Sequence, residues 1–465
     1  MASLTGAPSR WKFFAAAGLV AAAVGLRLYQ WTFFEFKFDQ AANLLGGIDA
    51  LKHHLLIDHA LESTVGLPNP PLFFQVCGVL SLVSTTPAWF AGATLAFGIA
   101  ALAMLYPVLK KPLGEETAML AVLIAGCVPF ILFLSSDLWQ QVYLPLFVPP
   151  LLWGLARDDR VGWAVAALAA TFSGMIHMSG FFLGPGLLWL AWKRKVGLRT
   201  FLTTAAAAFL LLSPWLCRLC FEWDRRWLPA DTGPAERPLT LLWETLGMFG
   251  PGFLREYFGR DMVFPAARFV GAPAAWLLAA GSALPIWAGV MNAVRHRREA
   301  PEIVRVSLIL AGSVLAGYFL TLLHVYFFYM YLPSLLLAVA AAYGFSRMAW
   351  RPRHILLGTW FICALALTGL TQGFLDRSGG HPREYGPSYG FWRDVRREIA
   401  EISSGRPVRL QIRTTDAVRN KMDRVAVWYL LREYFDSKDG VPLTLLIDYD
   451  AAAGHYVRRW EVSRR

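Results

Sequence analysis

The chain has 465 residues, of which 56% are hydrophobic and 16% charged, with 19 Trp, 32 Phe and a mean hydropathy of +0.44. That composition belongs to a polytopic membrane protein. The formal charge of +12 does not mark a nucleic-acid binder, because most Lys and Arg sit in short clusters between apolar runs, where they orient a membrane protein. The five cysteines (77, 127, 217, 220 and 363) lie in or beside apolar segments and make no disulfide framework. Cys217 and Cys220 have no second pair to complete a zinc site and are read as buried thiols one helical turn apart.

The first apolar run ends in bulky Leu28-Tyr29-Gln30-Trp31 with no small-residue cleavage site, so it reads as a signal anchor. A span needs about 20 apolar residues at a rise of about 1.5 Å each. Eleven segments approach that length: 11–31, 87–108, 117–134, 138–156, 162–176, 178–192, 199–216, 273–294, 302–323, 325–346 and 354–371. A further apolar piece, 70–84, begins with Pro70-Pro71 and is either a full span or a helix lying at the interface. The basic clusters decide between the two. Arg10/Lys12, Lys110/Lys111, Arg157/Arg160, Lys193/Arg194/Lys195, Arg295/Arg297/Arg298 and Arg347/Arg351/Arg353 all fall on one side only if 70–84 does not cross. The N-terminus is therefore expected in the cytoplasm, 70–84 as a juxtamembrane or re-entrant helix, and the C-terminal end outside. Asp39, Asp137, His177, the loop 217–272 and His324 then all emerge on the non-cytoplasmic face.

The first external loop, 32–86, places Glu35, Lys37 and Asp39 directly after an apolar span. Ionisable groups there are costly unless wet, paired or working. Two like charges so close together make a candidate reaction centre; the alternative is a solvated loop with ordinary carboxylates. Among Phe36, Phe38, Ala41 and Ala42, the Asp39 carboxylate meets a partly dry setting that suits a general base, unless Lys37 pairs with it and the pair is structural. Asp137, in FLSSDLWQQVYLP, reads both as the cap of a helix starting at Leu138 and as an active-site carboxylate. His177 and His324 sit where consecutive helices turn, each open to a structural or a site role. Arg255, Arg260 and Arg268 are interleaved with aromatics in GPGFLREYFGRDMVFPAARF. Arg grips phosphate bidentately and aromatics suit an isoprenoid or sugar face; the other reading is a basic loop touching anionic headgroups.

From about residue 372 the chain turns polar after a Gly/Pro/Tyr linker, GGHPREYGPSYG. A helix over 389–403, a strand over 407–413, a helix over 423–435 and strands over 442–448 and 455–461 predict a small α/β domain, 372–465, outside by parity. It shows no phosphate loop or metal cluster. An internal repeat, the mark of duplicated transporter folds, is not evident.

The ordered series FDQAANLL, PNPPLFF, KKPLGEE, SSDLWQQ, HMSGFFLGPG and HVYFFYMYLPSLLLAVAA resembles the GT-C glycosyltransferases, in the branch of the protein O-mannosyltransferases and the lipid A aminoarabinose transferase. Each motif is short; their order over residues 1–371 is the more specific signal. The resemblance implies a GT-C-like transmembrane catalytic domain over 1–371, juxtamembrane helices in the first external loop and a polyprenyl-phosphate-linked sugar as donor. By position, Asp39 is similar to the first acidic residue of the family's Asp-Glu pair, and Asp137 resembles the second acidic residue. Gln40 stands where the family usually has Glu, and Asn69 and Ser179 stand where relatives often have Lys. The donor phosphate then falls to Arg255, Arg260 or His177, with His324 and Lys37 beside them.

The expectation is an α-helical polytopic membrane protein of about 11 transmembrane helices, plus juxtamembrane helices and a small C-terminal α/β soluble domain. Its expected activity is glycosyl transfer, with inversion, at the outer face of the cytoplasmic membrane. The sugar passes from a polyprenyl-phosphate donor to a hydroxyl of a protein, lipid or polysaccharide acceptor, with Asp39 as general base. Membrane lipids are expected partners and nucleic acid is not; a divalent cation between carboxylate and phosphate stays open. The alternatives are a transporter or flippase of lipid-linked sugars and a non-catalytic assembly partner of the cell envelope.

Overall fold

A computed structural model describes residues 10–53, 58–61, 68–221, 236–258, 263–321, 327–381, 385–404, 406–414, 424–435, 441–450 and 455–462. Helix α1 (Arg10–Gln30) leads into two loop helices, α2 (Phe38–Lys52) and α3 (Leu72–Ser81). Next come α4 (Pro87–Leu113), α5 (Glu115–Cys127), α6 (Pro129–Phe133), α7 (Val148–Leu155), α8 (Arg160–Ile176), α9 (Leu183–Lys193) and α10 (Leu198–Phe221). Three shorter helices, α11 (Glu236–Gly247), α12 (Leu254–Phe258) and α13 (Phe264–Val270), precede α14 (Ala272–Arg295), α15 (Glu302–Thr321), α16 (Tyr331–Ser346) and α17 (Trp350–Ser378).

Five helices, α4, α10, α14, α15 and α17, are long and apolar enough to cross a membrane, and α3, α8 and α16 are shorter apolar helices. The protein is thus a multi-pass, mostly helical membrane protein. Helix α16 is its axis: every residue from Tyr331 to Phe345 is buried, as an all-round apolar helix requires. Cys217 and Cys220, expected inside, are instead exposed on α10.

Four expected spans are not single helices. Residues 117–134 divide into α5 and α6 at Val128-Pro129, and 138–156 divide into a 3-10 segment, Gln140–Phe147, followed by α7. The other two, 178–192 and 325–346, begin with 3-10 turns at Met178–Phe182 and Phe327–Met330. The physical cause is plain in the first two cases: Pro129, Pro145 and Pro149 remove backbone donors and cannot continue a regular ladder. Groups freed by such breaks must find partners away from water. Buried Arg27 of α1 meets one of them, donating from its guanidinium to the carbonyl of Gly126 at the end of α5.

Ion pairs tie the basic turns into one end of the bundle. Arg353 pairs with Glu116, Arg347 with Glu299 and Arg157 with Asp159, while Arg194 lies 2.6 Å from Glu302 and 3.9 Å from Asp158. These contacts join the turns around residues 110–116, 157–160, 194, 299–302 and 347–353, the clusters that the charge pattern assigned to one face. The helix breaks and 3-10 segments gather at the other end.

There, α2 and α3 pack on each other as a pair, and the apolar piece expected over 70–84 forms the 10-residue helix α3. Their closest approach runs through glycine. A Cβ on Gly47 would stand 2.6 Å from the Phe74 carbonyl oxygen and 2.7 Å from Cys77 Cβ. We expect Gly47→Ala to push α2 off α3 at a cost of about 1–3 kcal/mol. A lower thermal midpoint of the purified protein in detergent is the check; an unchanged midpoint would contradict this packing.

The C-terminal region holds α18 (Tyr389–Ser403), whose N-terminus is capped by the Ser388 hydroxyl accepting from Phe391 N at 3.1 Å, and α19 (Arg424–Phe435). A two-stranded pair, β1 (Gly380–His381) and β2 (Gly386–Pro387), precedes α18. A three-stranded sheet has β3 (Val408–Thr414) parallel to β4 (Val441–Asp450), and β4 antiparallel to β5 (His455–Val462). The helix α19 between the two parallel strands supplies the crossover they need.

Candidate active site

Where α1 ends, the chain does not run free into solvent. Phe33 and Phe34 are buried, the Phe33 carbonyl accepts from the Tyr385 hydroxyl at 3.1 Å, and the Phe34 carbonyl accepts from Tyr389 N at 2.9 Å. Glu35 forms an antiparallel bridge with Ser388, and the rings of Phe34 and Tyr389 stack with centroids 4.7 Å apart. The stretch expected as a linker is therefore a latch that fixes the backbone of residues 33–35. The Tyr429 hydroxyl adds a second tie, donating to Thr85 O at 2.6 Å, with its ring 5.7 Å from that of Phe36.

Held this way, Glu35 turns inward and is fully buried. One carboxylate oxygen lies 2.6 Å from Lys37 Nζ. The other accepts from Trp139 Nε1 at 3.1 Å and from the Tyr257 hydroxyl at 3.0 Å. An ammonium and two hydrogen-bond donors make a buried carboxylate tolerable. The Lys37 side chain keeps 26% of its exposure and lies 5.6 Å above the Trp139 ring, so its ammonium is reachable from the mouth.

Asp137 stands beside this cluster, completely buried, with Oδ1 accepting from Glu35 N at 3.2 Å. Its Oδ2 has no hydrogen-bond partner among the described residues. Burial first, and the neighbouring Glu35 charge second, push its carboxyl well above the ordinary value of 3.8. The expected capping role is not what it does. The helical segment begins at Gln140 without a side-chain cap, and the Asp137 carboxylate receives the Glu35 amide instead.

Aromatic side chains wall the pair. Tyr257 packs on Phe133 (5.7 Å), Phe327 (5.5 Å) and Tyr385 (5.3 Å), all measured between ring centroids. The wall thus draws on α6, α12, the turn at Phe327–Met330 and the C-terminal latch. Burial pushes the Tyr257 and Tyr385 hydroxyls well above their ordinary value of 10.0, so both remain donors.

The sequence candidates fall at different depths. Asp39 lies in the first turn of α2, half-buried at the rim, where Gln40 Oε1 accepts from Lys37 N at 3.1 Å. Lys37, expected either to pair with Asp39 or to bind phosphate, is in contact with Glu35. His177 is buried, with Nδ1 2.8 Å from Ser179 Oγ and its ring 5.0 Å from that of Tyr329. Burial pushes its imidazole down to about 3, so it is neutral and does not supply the cation expected of it. Arg255 is exposed on α12, its guanidinium 5.9 Å from the Trp243 ring centroid. Arg260 and His324 lie outside the described residues. Asn69, which stands where the resemblance implies a lysine, serves the loop fold: its amide donates to Leu61 O at 3.0 Å. Among the described residues no group of three or more His, Cys, Asp or Glu side chains is placed to hold a metal ion.

These features define a multi-pass helical membrane protein with an enclosed carboxyl pair, one reachable ammonium and an aromatic wall at the end of the bundle away from its basic turns. No family model matches the chain, and no curated protein matches it. Among solved structures, it is similar to ArnT from Cupriavidus metallidurans bound to undecaprenyl phosphate, with a TM-score of 0.54 at 13% identity over 96% of this chain and 94% of that one. It is similar also to the apo state of the same ArnT, with a TM-score of 0.53 at 11% identity over 94% of each chain. The chain accordingly shares the fold of that ArnT over nearly its whole length.

Proposed function

We propose that the chain is a membrane glycosyltransferase that moves a sugar from a polyprenyl-phosphate donor to a hydroxyl of an extracytoplasmic acceptor. The observation that carries this reading is the buried Glu35–Asp137 pair with Lys37 at its mouth, in a fold shared with an ArnT crystallised with undecaprenyl phosphate. The site then lies on the periplasmic side of the inner membrane, because the basic turns, which stay cytoplasmic, occupy the other end.

In this reading the acceptor oxygen attacks the anomeric carbon as the bond from that carbon to the phosphate oxygen breaks, and its electron pair leaves with the phosphate. Attack opposite the leaving group inverts the anomeric centre. The acceptor proton passes to Asp137 in its ionised form, whose Oδ2 has no hydrogen-bond partner among the described residues and whose raised proton affinity suits a general base. The Glu35 carboxylate, paired with Lys37 and accepting from Trp139 and Tyr257, faces positive charge developing on the sugar ring. Lys37 meets the departing phosphate, with Arg255 at the outer edge. Asp39, on the rim, orients the incoming acceptor hydroxyl.

The test is transfer from a synthetic polyprenyl-phosphate sugar by purified protein in proteoliposomes. Wild type is expected to glycosylate an acceptor mixture from cell envelopes, and Asp39→Asn to raise KM for acceptor more than it lowers kcat. Donor crossing the bilayer without product would overturn the reading in favour of a flippase. A kcat loss for Asp39→Asn as large as that of Asp137→Asn would return the base role to Asp39.

A further inference from the structure

The end of the bundle away from the carboxyl pair carries a second site. α8 has 17 residues, so its first residue lies about 24 Å along the helix from its last, where His177 follows. Around that first turn, the α7–α8 turn, the α9–α10 turn and the start of α15 enclose a cavity of about 640 Å³. Seven basic side chains line it against three carboxylates. Arg157 and Arg194 are used internally, by Asp159 and by Glu302 and Asp158. Arg160, Lys195, Arg199 and Arg305 have no ion-pair partner among the described residues, and all four are exposed. The cavity therefore keeps an excess of positive charge that no ion pair among the described residues neutralises.

Directly beyond it, sharing Trp163 as a common wall, lies an apolar groove of about 280 Å³ between α8, α9 and α10. Ala167, Leu187, Phe201, Ala205 and Ala208 line it, and it opens toward the apolar outer surface beside Leu188, which is 57% exposed. Tryptophans mark the same level: Trp153 lies under Arg157 and Trp189 under Lys193, each with the cation 4.8 Å from the ring centroid, and Trp192 is 77% exposed. Such a belt sits where a bilayer meets water.

We infer that the cavity and groove together are a binding site for an anionic phospholipid, its phosphates among Arg160, Lys195, Arg199 and Arg305 and one acyl chain along α8 and α10. A soluble phosphate would explain the charge but not the groove, and a neutral lipid would explain the groove but not the charge. Four unpaired cations favour a headgroup with two phosphodiesters over one with a single phosphate. The site is separate from the proposed transfer centre and uses none of its residues.

The test measures lipid binding to the full-length protein in neutral detergent, by native mass spectrometry and by thermal shift, using cardiolipin, phosphatidylcholine and glycerol phosphate in separate arms. Cardiolipin is expected to bind and to raise the unfolding midpoint, and the other two to do neither. Arg199→Gln with Arg305→Gln, both exposed side chains, is expected to weaken cardiolipin binding about thirtyfold, as the loss of two headgroup contacts implies. Ala205→Trp, which fills the groove from its exposed side, tests the acyl chain independently of the charges. Equal binding of phosphatidylcholine, competition by glycerol phosphate as effective as by lipid, or unchanged cardiolipin binding in the folded variants would each overturn the proposal.

Discussion

Asp137→Asn is expected to lower the transfer rate by about 10²- to 10⁴-fold, the contribution of a placed general base, while leaving the protein folded. The reason it should fold lies in the environment of this side chain. Its Oδ1 accepts from Glu35 N, which an amide oxygen does equally well, and its Oδ2 lacks a partner among the described residues. Burial and the Glu35 charge hold the carboxyl above 3.8, so the folded chain keeps a proton that the unfolded chain releases. The stability tied to that proton is complete below about pH 3.8 and declines as pH rises through the raised folded value. Removing the carboxyl removes the decline. The variant should therefore match or exceed wild type in thermal midpoint at neutral and alkaline pH while being nearly inactive. A purely structural aspartate would behave the other way, losing stability and activity together.

How far this centre was legible in the sequence depends on which interactions are local. The helix over Tyr389–Ser403 coincides with its expected limits because apolar spacing and the Ser388 cap are features of one short window. Four spans that read as continuous are interrupted, and Pro129, Pro145 and Pro149 were the visible warning for two of them. The clustering of basic turns at one end followed from charge pattern alone, and the ion pairs Arg353–Glu116 and Arg347–Glu299 join those turns directly.

Glu35 is the residue whose place was least readable. Glu35 and Asp39 together read as a candidate reaction centre, and the apolar neighbours of Asp39 made it the expected base. What turns Glu35 inward is its bridge to Ser388 and the hold of Tyr385 and Tyr389 on Phe33 and Phe34, contacts between distant parts of the chain. Their only local trace was a surplus of tyrosine in GGHPREYGPSYG, a composition that otherwise says linker. Deleting residues 372–465 would remove this hold on Glu35. Loss of transfer on deletion does not distinguish a scaffold from an enzyme, because the latch on Glu35 goes with the deleted segment.

Glu35→Gln carries the other large effect, a rate loss of about 10²-fold together with a displaced pH profile. Glutamine keeps an oxygen for Trp139 and Tyr257 but gives up the charge that pairs with Lys37 at 2.6 Å. Two consequences have opposite signs for catalysis. Without the Glu35 charge the developing positive charge on the sugar loses its neighbour, and kcat falls. Asp137, relieved of a like charge, releases its proton more readily, so the acid limb of the pH–rate profile moves to lower pH. Lys37→Met should move the same limb slightly upward, since the ammonium favours the charged form of Asp137. The pair of shifts separates this arrangement from one in which a carboxylate at the rim is the base: there, neither substitution would act on the base through a buried neighbouring charge, and both profiles would overlay that of wild type.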